Sequence, residues 1–191
     1  MSRHNRVRRR ESFNIPGHAH ELTFSCYQRF PFLKAERCCS WLAESIEKSR
    51  KTHAFWLWAY VFMLDHVHLI VYPTREKYDM GQILKSIKQP VGERAIAYLE
   101  ANSPIWLERV TRQRGRRTER LFWQSGGGYD RNITAPRTLL KMIDYTHENP
   151  MRKQLVATPS EWVWSSAAHY VGGSAPISVD PIPAEWLDVE T

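Results

Sequence analysis

Hydrophobic and polar positions follow two different periods along this chain. Residues 20–27 alternate, and the apolar positions 22, 24 and 26 predict a first strand whose even-numbered side chains face the core. Residues 54–62 form an apolar and aromatic run that predicts a second strand. Residues 66–73 predict a third strand, central and buried, and the segment between these two runs is short enough for a hairpin turn.

Two further segments carry apolar residues at helical spacing. Residues 35–50 predict the clearest helix, with one apolar stripe along it. Residues 78–101 predict a second helix whose apolar residues are four apart. Pro90 lies inside this segment and removes a backbone donor, so we expect a kink or a break near Gln89.

A third helix is expected near the C-terminal end of the chain. Thr134 can cap it, and Pro136 fits its first turn. Leu139, Leu140 and Ile143 would form its core stripe. We expect this helix to end near residue 149, because a proline at position 150 disfavours helical geometry in the residue before it.

The stretch between the second and third helices is rich in arginine. Residues 109–120 contain six arginines around Gly115, which predicts an exposed loop or the tip of a hairpin. Residues 121–124 are expected to form a short strand and residues 125–128 a turn. Residues 129–133 are expected to be extended.

The predicted order of elements is strand, helix, strand, strand, helix, strand. This order matches the split β-α-β-β-α-β arrangement, so we expect an α+β, ferredoxin-like fold with an antiparallel sheet and helices on one face. The third helix is an addition that could lie over the third strand. We expect a flexible basic arm at residues 1–15, one domain at residues 16–172, and a tail at residues 173–191 that either wraps around the domain or is disordered.

The chain carries an excess of positive charge. Its formal net charge is +7 and its isoelectric point is about 9.5. This balance favours an anionic partner, with nucleic acid first, although a solvated basic surface is the alternative explanation. The candidate DNA-binding residues are Arg8, Arg9, Arg10, Lys85, Lys88, Arg112, Arg114, Arg116, Arg117, Arg131 and Lys141.

The composition also indicates a compartment. Cys26, Cys38 and Cys39 form neither an even disulfide framework nor a metal-type spacing, which is typical of a reducing compartment. No apolar run approaches the roughly 20 residues of a membrane-spanning helix. The basic N-terminus is not followed by the apolar core of a signal peptide. We therefore expect a cytoplasmic protein that does not contact a membrane.

Two pairs of residues are candidates for chemistry. His66 and His68 flank one valine on the third strand, so their side chains project from the same face and can bind a metal ion. The alternative is that both are core histidines with hydrogen-bond partners. Tyr145 and Asn149 are four apart on the third helix and share a face, with Lys141 one turn earlier. The alternative is an ordinary surface tyrosine and a C-terminal asparagine.

Several sequence blocks occur together in one order. They are His66-Val67-His68, Phe122-Trp123-Gln124, the segment from Gly127 to Ile133, the segment from Asp144 to Pro150, and the segment from Glu161 to Ser166. On these blocks the chain resembles the REP-associated tyrosine transposases. These are relatives of the single-tyrosine insertion-sequence transposases in the HUH nuclease superfamily.

The resemblance implies a chemistry for the two pairs. A divalent metal, Mg²⁺ or Mn²⁺, would bind His66, His68 and Asn149, and Tyr145 would be the nucleophile. The implied activity is that of a metal-dependent single-stranded DNA endonuclease and strand transferase. It would act on hairpin-forming repeat DNA through a 5′-phosphotyrosine intermediate and without a small-molecule cofactor. Tyr129 is a rival nucleophile, although a strand residue that packs or stacks a base is the simpler interpretation.

Three alternatives stay open at this stage. The chain could be a catalytically silent regulator that binds hairpin DNA or RNA, since its charge and aromatic content would suffice for that role. It could be a metal-dependent hydrolase of small phosphate esters, although the basic loops disfavour a small substrate. Whether the protein acts as a monomer or as a homodimer is also undecided.

Overall fold

The residues that the structure describes form both strands and helices. The computed structural model describes residues 14–188, so Arg8, Arg9 and Arg10 lie outside the described part. The strands are β1 (Ala19–Ser25), β2 (Phe55–Phe62), β3 (His66–Pro73), β4 (Thr111–Arg114), β5 (Arg117–Arg120) and β6 (Tyr129–Ile133). The α-helices are α1 (Glu36–His53), α2 (Met80–Asn102), α3 (Pro104–Val110), α4 (Pro136–Arg152) and α5 (Ala167–Tyr170). Short 3₁₀ turns occupy Tyr27–Arg29, Phe32–Lys34, Pro159–Glu161 and Ala184–Trp186.

Four strands form an antiparallel sheet in the order β2-β3-β1-β6. Strand β3 is therefore central, as predicted. The register places Thr23 of β1 opposite both His68 of β3 and Tyr129 of β6. Together with α1 and α2, this order is the ferredoxin-like arrangement, so the predicted α+β fold class is confirmed.

One face of the sheet packs against α1 and α2. The even positions of β1, Leu22, Phe24 and Cys26, are buried there as the alternation predicted. The odd positions of β3, such as Val67 and Leu69, belong to the same cluster. Because strand side chains alternate, the even positions of β3 must point to the opposite face.

Helix α4 covers that opposite face. Leu139 and Ile143 pack there with Ile70 of β3 and Trp58 of β2 in a second core cluster. Leu140, the third residue of the expected stripe, is only half-buried. The sheet is thus enclosed by α1 and α2 on one side and by the added helix on the other, next to the histidines of β3.

The free edge of β2 is covered by C-terminal segments of the chain. The Phe62 N–H donates to the Trp164 carbonyl at 2.8 Å, and the Ser166 N–H donates to the Tyr60 carbonyl at 3.0 Å. Further along, the Asp180 N–H donates to the Leu57 carbonyl at 2.8 Å. The described part of the tail, up to residue 188, therefore wraps against the sheet and covers a strand edge that could otherwise pair with another chain.

Helix α2 is continuous through Pro90, so the alternative of a break near Gln89 is wrong. The missing N–H of Pro90 would have donated to the Ser86 carbonyl. The Ser45 hydroxyl of α1 lies 3.2 Å from that carbonyl and 2.8 Å from the carbonyl of Ile87. A side chain from a neighbouring helix thus compensates for the proline, which local sequence rules do not anticipate.

Three local predictions differ in outcome. Residues 121–124 do not form a strand, because within this segment only Trp123 makes a bridge, to Cys26, while its indole N–H donates to the Lys88 carbonyl. The arginine-rich segment does form a hairpin, β4–β5, as predicted. Thr134 does not cap α4, because Ala135 occupies the N-cap position and Pro136 the first turn.

A transmembrane helix is not found among residues 14–188, since no helix in that range is long and apolar enough to cross a bilayer.

Candidate active site

Two imidazole rings lie side by side at the start of β3. His66 and His68 share the face of the sheet that α4 covers, as the alternation predicted, and their ring centroids are 5.0 Å apart. The two residues are 8% and 6% exposed. A buried pair at this distance can present two nitrogen ligands to one ion.

A neighbouring oxygen orients each ring through Nδ1. The His66 Nδ1 lies 2.6 Å from a carboxylate oxygen of Asp65, which also pairs with Arg29 at 3.2 Å. The His68 Nδ1 lies 2.9 Å from the Thr23 hydroxyl. The His68 Nε2 is buried, and no atom of residues 14–188 hydrogen-bonds to it. Metal-binding histidines typically use one ring nitrogen for such an oxygen partner and keep the other for the ion.

Burial keeps both rings neutral near pH 7. Burial, with smaller contributions from the charges of His66 and Arg29, lowers the pKa of His68 to about 4. Burial is also the largest cause that lowers the pKa of His66, while the Asp65 carboxylate acts in the opposite direction. A neutral imidazole has the free lone pair that a metal requires, so the electrostatics of this pair suit metal binding.

Helix α4 places Tyr145 beside the histidines. The Tyr145 ring centroid is 6.2 Å from that of His68, at nearly a right angle, and the residue is 38% exposed. The Arg152 guanidinium lies 4.6 Å above the Tyr145 ring and pairs with Glu148 at 2.9 Å. The phenol is thus partly exposed, and a cation lies over its ring.

Asn149 lies one turn after Tyr145 and is 8% exposed. Its Nδ2 donates to the carbonyls of Tyr145 at 2.8 Å and Thr146 at 3.3 Å. The Thr146 carbonyl would accept from residue 150 in an ordinary helix, but Pro150 has no N–H. The amide therefore supports the helix through Pro150, which explains why α4 extends to Arg152 and why the predicted end near residue 149 is wrong.

An asparagine side-chain oxygen is a donor of a different type from a histidine nitrogen. Among residues 14–188, no three side chains of His, Cys, Asp or Glu are grouped so as to hold a metal ion. A site on His66 and His68 therefore needs a donor of another type. Because the backbone holds the Nδ2 of Asn149, its Oδ1 is the atom left for an oxygen-preferring cation.

A cavity of about 380 Å³ opens between the sheet and α4 next to these side chains. It is lined by Glu21, Thr23, His68, Tyr129, Arg131, Met142 and Tyr145. Both candidate nucleophiles thus face one cavity, and Tyr129 is 48% exposed. The Tyr145 ring also contacts His68, a histidine of the pair.

Sequence reasoning missed four residues of this site. Glu21 and Thr23 occupy odd positions of β1, opposite in direction to its buried even positions. Their polarity was the available signal that the second face of the sheet carries a polar site. Asp65 directly precedes the histidines, where a carboxylate partner for an imidazole could have been expected. Arg152 gave no usable signal, because its contact depends on α4 continuing past Pro150.

The candidate DNA-binding residues divide into separate surfaces. Arg131 lines the cavity of Tyr145, and Lys141 is exposed on α4 one turn before it. Lys85 and Lys88 line a different groove of about 720 Å³ along α2. Burial lowers the pKa of Lys88 to about 8, and its ammonium donates to the Gly126 carbonyl at 2.9 Å.

The arginines of the β4–β5 hairpin are not equivalent. Arg112 donates to Glu119 at 2.8 Å and to the Ser125 hydroxyl at 3.0 Å, so much of its charge is used internally. Arg114 lies 3.8 Å from Glu119 and is largely exposed. Arg116 and Arg117 make no ion pair with any residue of the described range and are exposed. The tip of the hairpin is therefore the part that is free to meet phosphates.

His147, in the block of residues 144–150, is buried and joins two parts of the fold. His147 is 7% exposed, and its Nε2 lies 2.7 Å from the Ser166 hydroxyl. That hydroxyl also accepts from the Tyr60 N–H at 2.9 Å. His147 thus fastens α4 to the segment that covers β2, so His147 and Ser166 have a structural role within their two sequence blocks.

We expect His147 to make the fold sensitive to acid. Burial lowers its pKa to about 4, whereas an unfolded histidine titrates near 6.5. The unfolded chain therefore binds the proton first, and up to about 3 kcal/mol of folding free energy is lost as the pH falls from about 6.5 to about 4. In urea unfolding at pH 7 and pH 4.5, His147→Gln should lose less stability between the two pH values than the wild type. Equal losses would contradict this assignment.

The chain is similar over nearly its whole length to a solved structure. It is the structure of a REP-associated tyrosine transposase bound to a REP hairpin, with a TM-score of 0.66 and 18% sequence identity. The match covers 97% of this chain and 94% of that chain. No family model and no curated protein matches the chain. The likeness shows a shared fold and confirms, at that level, the resemblance that the sequence blocks predicted.

Proposed function

We propose that this protein is a metal-dependent, single-stranded DNA endonuclease and strand transferase that acts on hairpin DNA through Tyr145. The observation that carries the proposal is the Tyr145 ring 6.2 Å from His68, whose Nε2 is buried without a hydrogen-bond partner among residues 14–188. An oriented, neutral imidazole beside an accessible phenol suits phosphoryl transfer, which depends mainly on positioning and charge stabilisation. The hairpin in the similar structure supports the choice of substrate.

His66, His68 and the Oδ1 of Asn149 are the residues that would hold Mg²⁺ or Mn²⁺. The unpartnered Nε2 of His68 and the oriented rings fit such an ion. When bound, the ion would polarise the scissile phosphate and stabilise the leaving 3′ oxygen. His66 and His68 would contribute neutral nitrogen ligands, and Asn149 would contribute an oxygen without adding negative charge next to the phosphate.

Tyr145 would form and release the covalent intermediate. Its phenolic oxygen attacks the phosphorus, the bond between phosphorus and the 3′ oxygen breaks, and a 5′-phosphotyrosine forms. The phenol loses its proton to solvent, and the departing 3′ oxygen gains one, so the step is balanced. Because a phosphodiester is exchanged for another ester, a 3′-hydroxyl can later reverse the reaction. Arg152 would orient the ring during this attack.

The basic surfaces would hold the DNA around this centre. Arg131 lines the cavity and lies close to where the reacting strand must pass. Arg116 and Arg117 at the hairpin tip suit contacts with phosphates, which position the DNA without reading its sequence. Lys85 and the groove along α2 would extend the positive surface.

The direct test is a search for the covalent product. Purified protein is incubated with labelled single-stranded DNA that contains an imperfect hairpin from the flanks of its own gene, with Mn²⁺ or Mg²⁺, and run on a denaturing gel. A labelled band at the position of a protein–DNA adduct is the expected result. Tight hairpin binding with no adduct and no cut strand under either metal would favour the silent-regulator alternative instead.

We expect the hairpin tip to contribute affinity rather than chemistry. Each phosphate contact adds about 0.9 to the slope of log affinity against log salt concentration. The double variant Arg116→Ala/Arg117→Ala should weaken hairpin DNA binding severalfold and lower that slope by about 1 to 2. The measurement is fluorescence anisotropy across a salt series. Arg75→Ala/Lys77→Ala removes the same charge beyond the far end of β3 and serves as the control, and equal losses in both double variants would overturn the contact.

A further inference from the structure

A buried carboxylate lies in the cavity beside Tyr145 and has no assigned task. Glu21 is 6% exposed and lines this cavity, and its carboxylate makes no hydrogen bond or ion pair with any group of residues 14–188. Burial raises its pKa, and Arg131 acts in the opposite direction. The Glu21 oxygens are not among the fully buried side-chain atoms of residues 14–188 that lack a partner, so they face the cavity, where a ligand can reach them.

Two explanations for Glu21 do not fit its surroundings. A metal ligand would join His66 and His68 in a three-residue group, and such a group of His, Cys, Asp or Glu is not found within the described range. A structural ion pair would need Arg131 within 4 Å, and no such pair forms although Arg131 is directly opposite on β6. The carboxylate is therefore free to face a ligand in the cavity.

The chemistry of the cavity selects a base rather than a phosphate. A carboxylate repels a phosphate but accepts hydrogen bonds from amino and imino groups. Tyr129 and Met142 provide flat and apolar walls, and aromatic rings are the usual stacking partners of unpaired bases. A volume of about 380 Å³ falls within the range of small-ligand pockets.

We propose that this cavity is a nucleobase subsite, in which Glu21 reads the donor edge of an unpaired guanine next to the scissile phosphate while Tyr129 stacks on the base. Guanine offers two adjacent donors, N1–H and the 2-amino group, which match the two oxygens of one carboxylate. Its O6 acceptor matches the Arg131 guanidinium. Adenine and cytosine each offer only one amino group, and thymine offers one imino group.

The subsite adjoins the reaction centre, because His68 and Tyr145 line the same cavity. The inference rests on the proposed function, since it takes the occupant to be the nucleotide flanking the cut. It adds specificity that phosphate contacts cannot supply, as those contacts carry no sequence information. Tyr129 thereby gains a role that requires its ring and not its hydroxyl.

The test uses binding in the absence of chemistry. Tyr145→Phe protein is titrated with hairpin oligonucleotides in which each nucleotide near the mapped cleavage site is replaced in turn by guanine, inosine or an abasic residue. At one position, an abasic residue should weaken binding, and inosine, which lacks the 2-amino group, should bind roughly 5- to 100-fold more weakly than guanine. The absence of any position with this preference would overturn the subsite.

A second variant assigns the preference to Glu21. Glu21→Met keeps the volume and removes both acceptors, so the difference between guanine and inosine should fall to less than about twofold. The exposed Glu76 provides the control, because Glu76→Met should retain the full difference. Tyr129→Phe should retain it as well, whereas Tyr129→Ala should weaken binding of every base by about 5-fold or more. An undiminished preference in Glu21→Met would overturn the role of the carboxylate.

The two proposals fail in different ways. A missing adduct with wild-type protein contradicts the endonuclease proposal, whatever the base. An adduct that forms equally well with guanine, inosine and an abasic residue at every position contradicts the subsite alone. Glu21→Met could also reduce adduct formation equally with guanine and inosine oligonucleotides while it keeps the wild-type preference for binding guanine. That result would reject the base-reading role.

Discussion

Tyr145→Phe is expected to abolish the covalent protein–DNA adduct while leaving hairpin binding within about twofold of the wild type. The substitution removes only the phenolic oxygen, so the ring keeps its contact with His68 and its stacking under Arg152. Removal of a nucleophile costs roughly 10⁴-fold or more in covalent chemistry, because the oxygen that forms the bond is gone. The adduct is measured on a denaturing gel, and binding is measured by anisotropy with the same oligonucleotide.

Tyr129→Phe is the matched control for this experiment. It removes the hydroxyl of the other exposed tyrosine in the same cavity and leaves its ring for stacking. Adduct formation should persist in this variant. An adduct that disappears in Tyr129→Phe and persists in Tyr145→Phe would move the nucleophile to β6 and keep the class of reaction. A loss of binding in Tyr145→Phe would indicate a folding defect, which circular dichroism would identify.

The fold was largely predictable from the sequence, because the spacing of apolar residues along the chain differs between strands and helices. The alternation around Phe24 and the helical stripes specified which faces are buried, and the order of elements then limited the topology. The exceptions share one cause. Pro90 and Pro150 each remove a backbone donor, and the compensating groups are a hydroxyl from another helix, Ser45, and the amide of Asn149. Ser45 comes from a neighbouring helix and the Asn149 amide from the residue before the proline. Rules that count only backbone donors include neither group, so they predicted a kink, a break or an early helix end.

The site was predictable only where residue spacing within one strand or one helix places side chains on the same face. Strand alternation put His66 and His68 on one face, and helical spacing put Tyr145 near Asn149. Glu21 depends instead on which strands are neighbours, because β6 joins the sheet beside β1 and creates the wall of the cavity. A single polar residue on an alternating strand is ordinary on a solvated face. It became informative here only because α4 covers that face.

His68→Ala is expected to reduce cleavage and adduct formation by at least about 10³-fold, the effect of losing several kcal/mol of charge stabilisation at the phosphate. The imidazole is buried, oriented by Thr23, and neutral near pH 7 because burial lowers its pKa to about 4. Mn²⁺ affinity, measured by electron paramagnetic resonance of the free ion, should fall in parallel. Hairpin binding without metal should persist, since the basic surfaces lie on other elements.

A second variant separates loss of the metal ligand from loss of the fold, because it should reduce metal affinity and cleavage by less than His68→Ala does. Thr23→Val keeps the shape of the side chain and leaves His68 in place, but it removes the oxygen 2.9 Å from Nδ1. Loss of such an orienting partner typically costs 10- to 100-fold in metal affinity or activity. The exposed His169→Ala variant should match the wild type in both measurements. Unchanged Mn²⁺ affinity in His68→Ala, in a protein that still folds, would show that the ion binds elsewhere and that the β3 histidines are core residues.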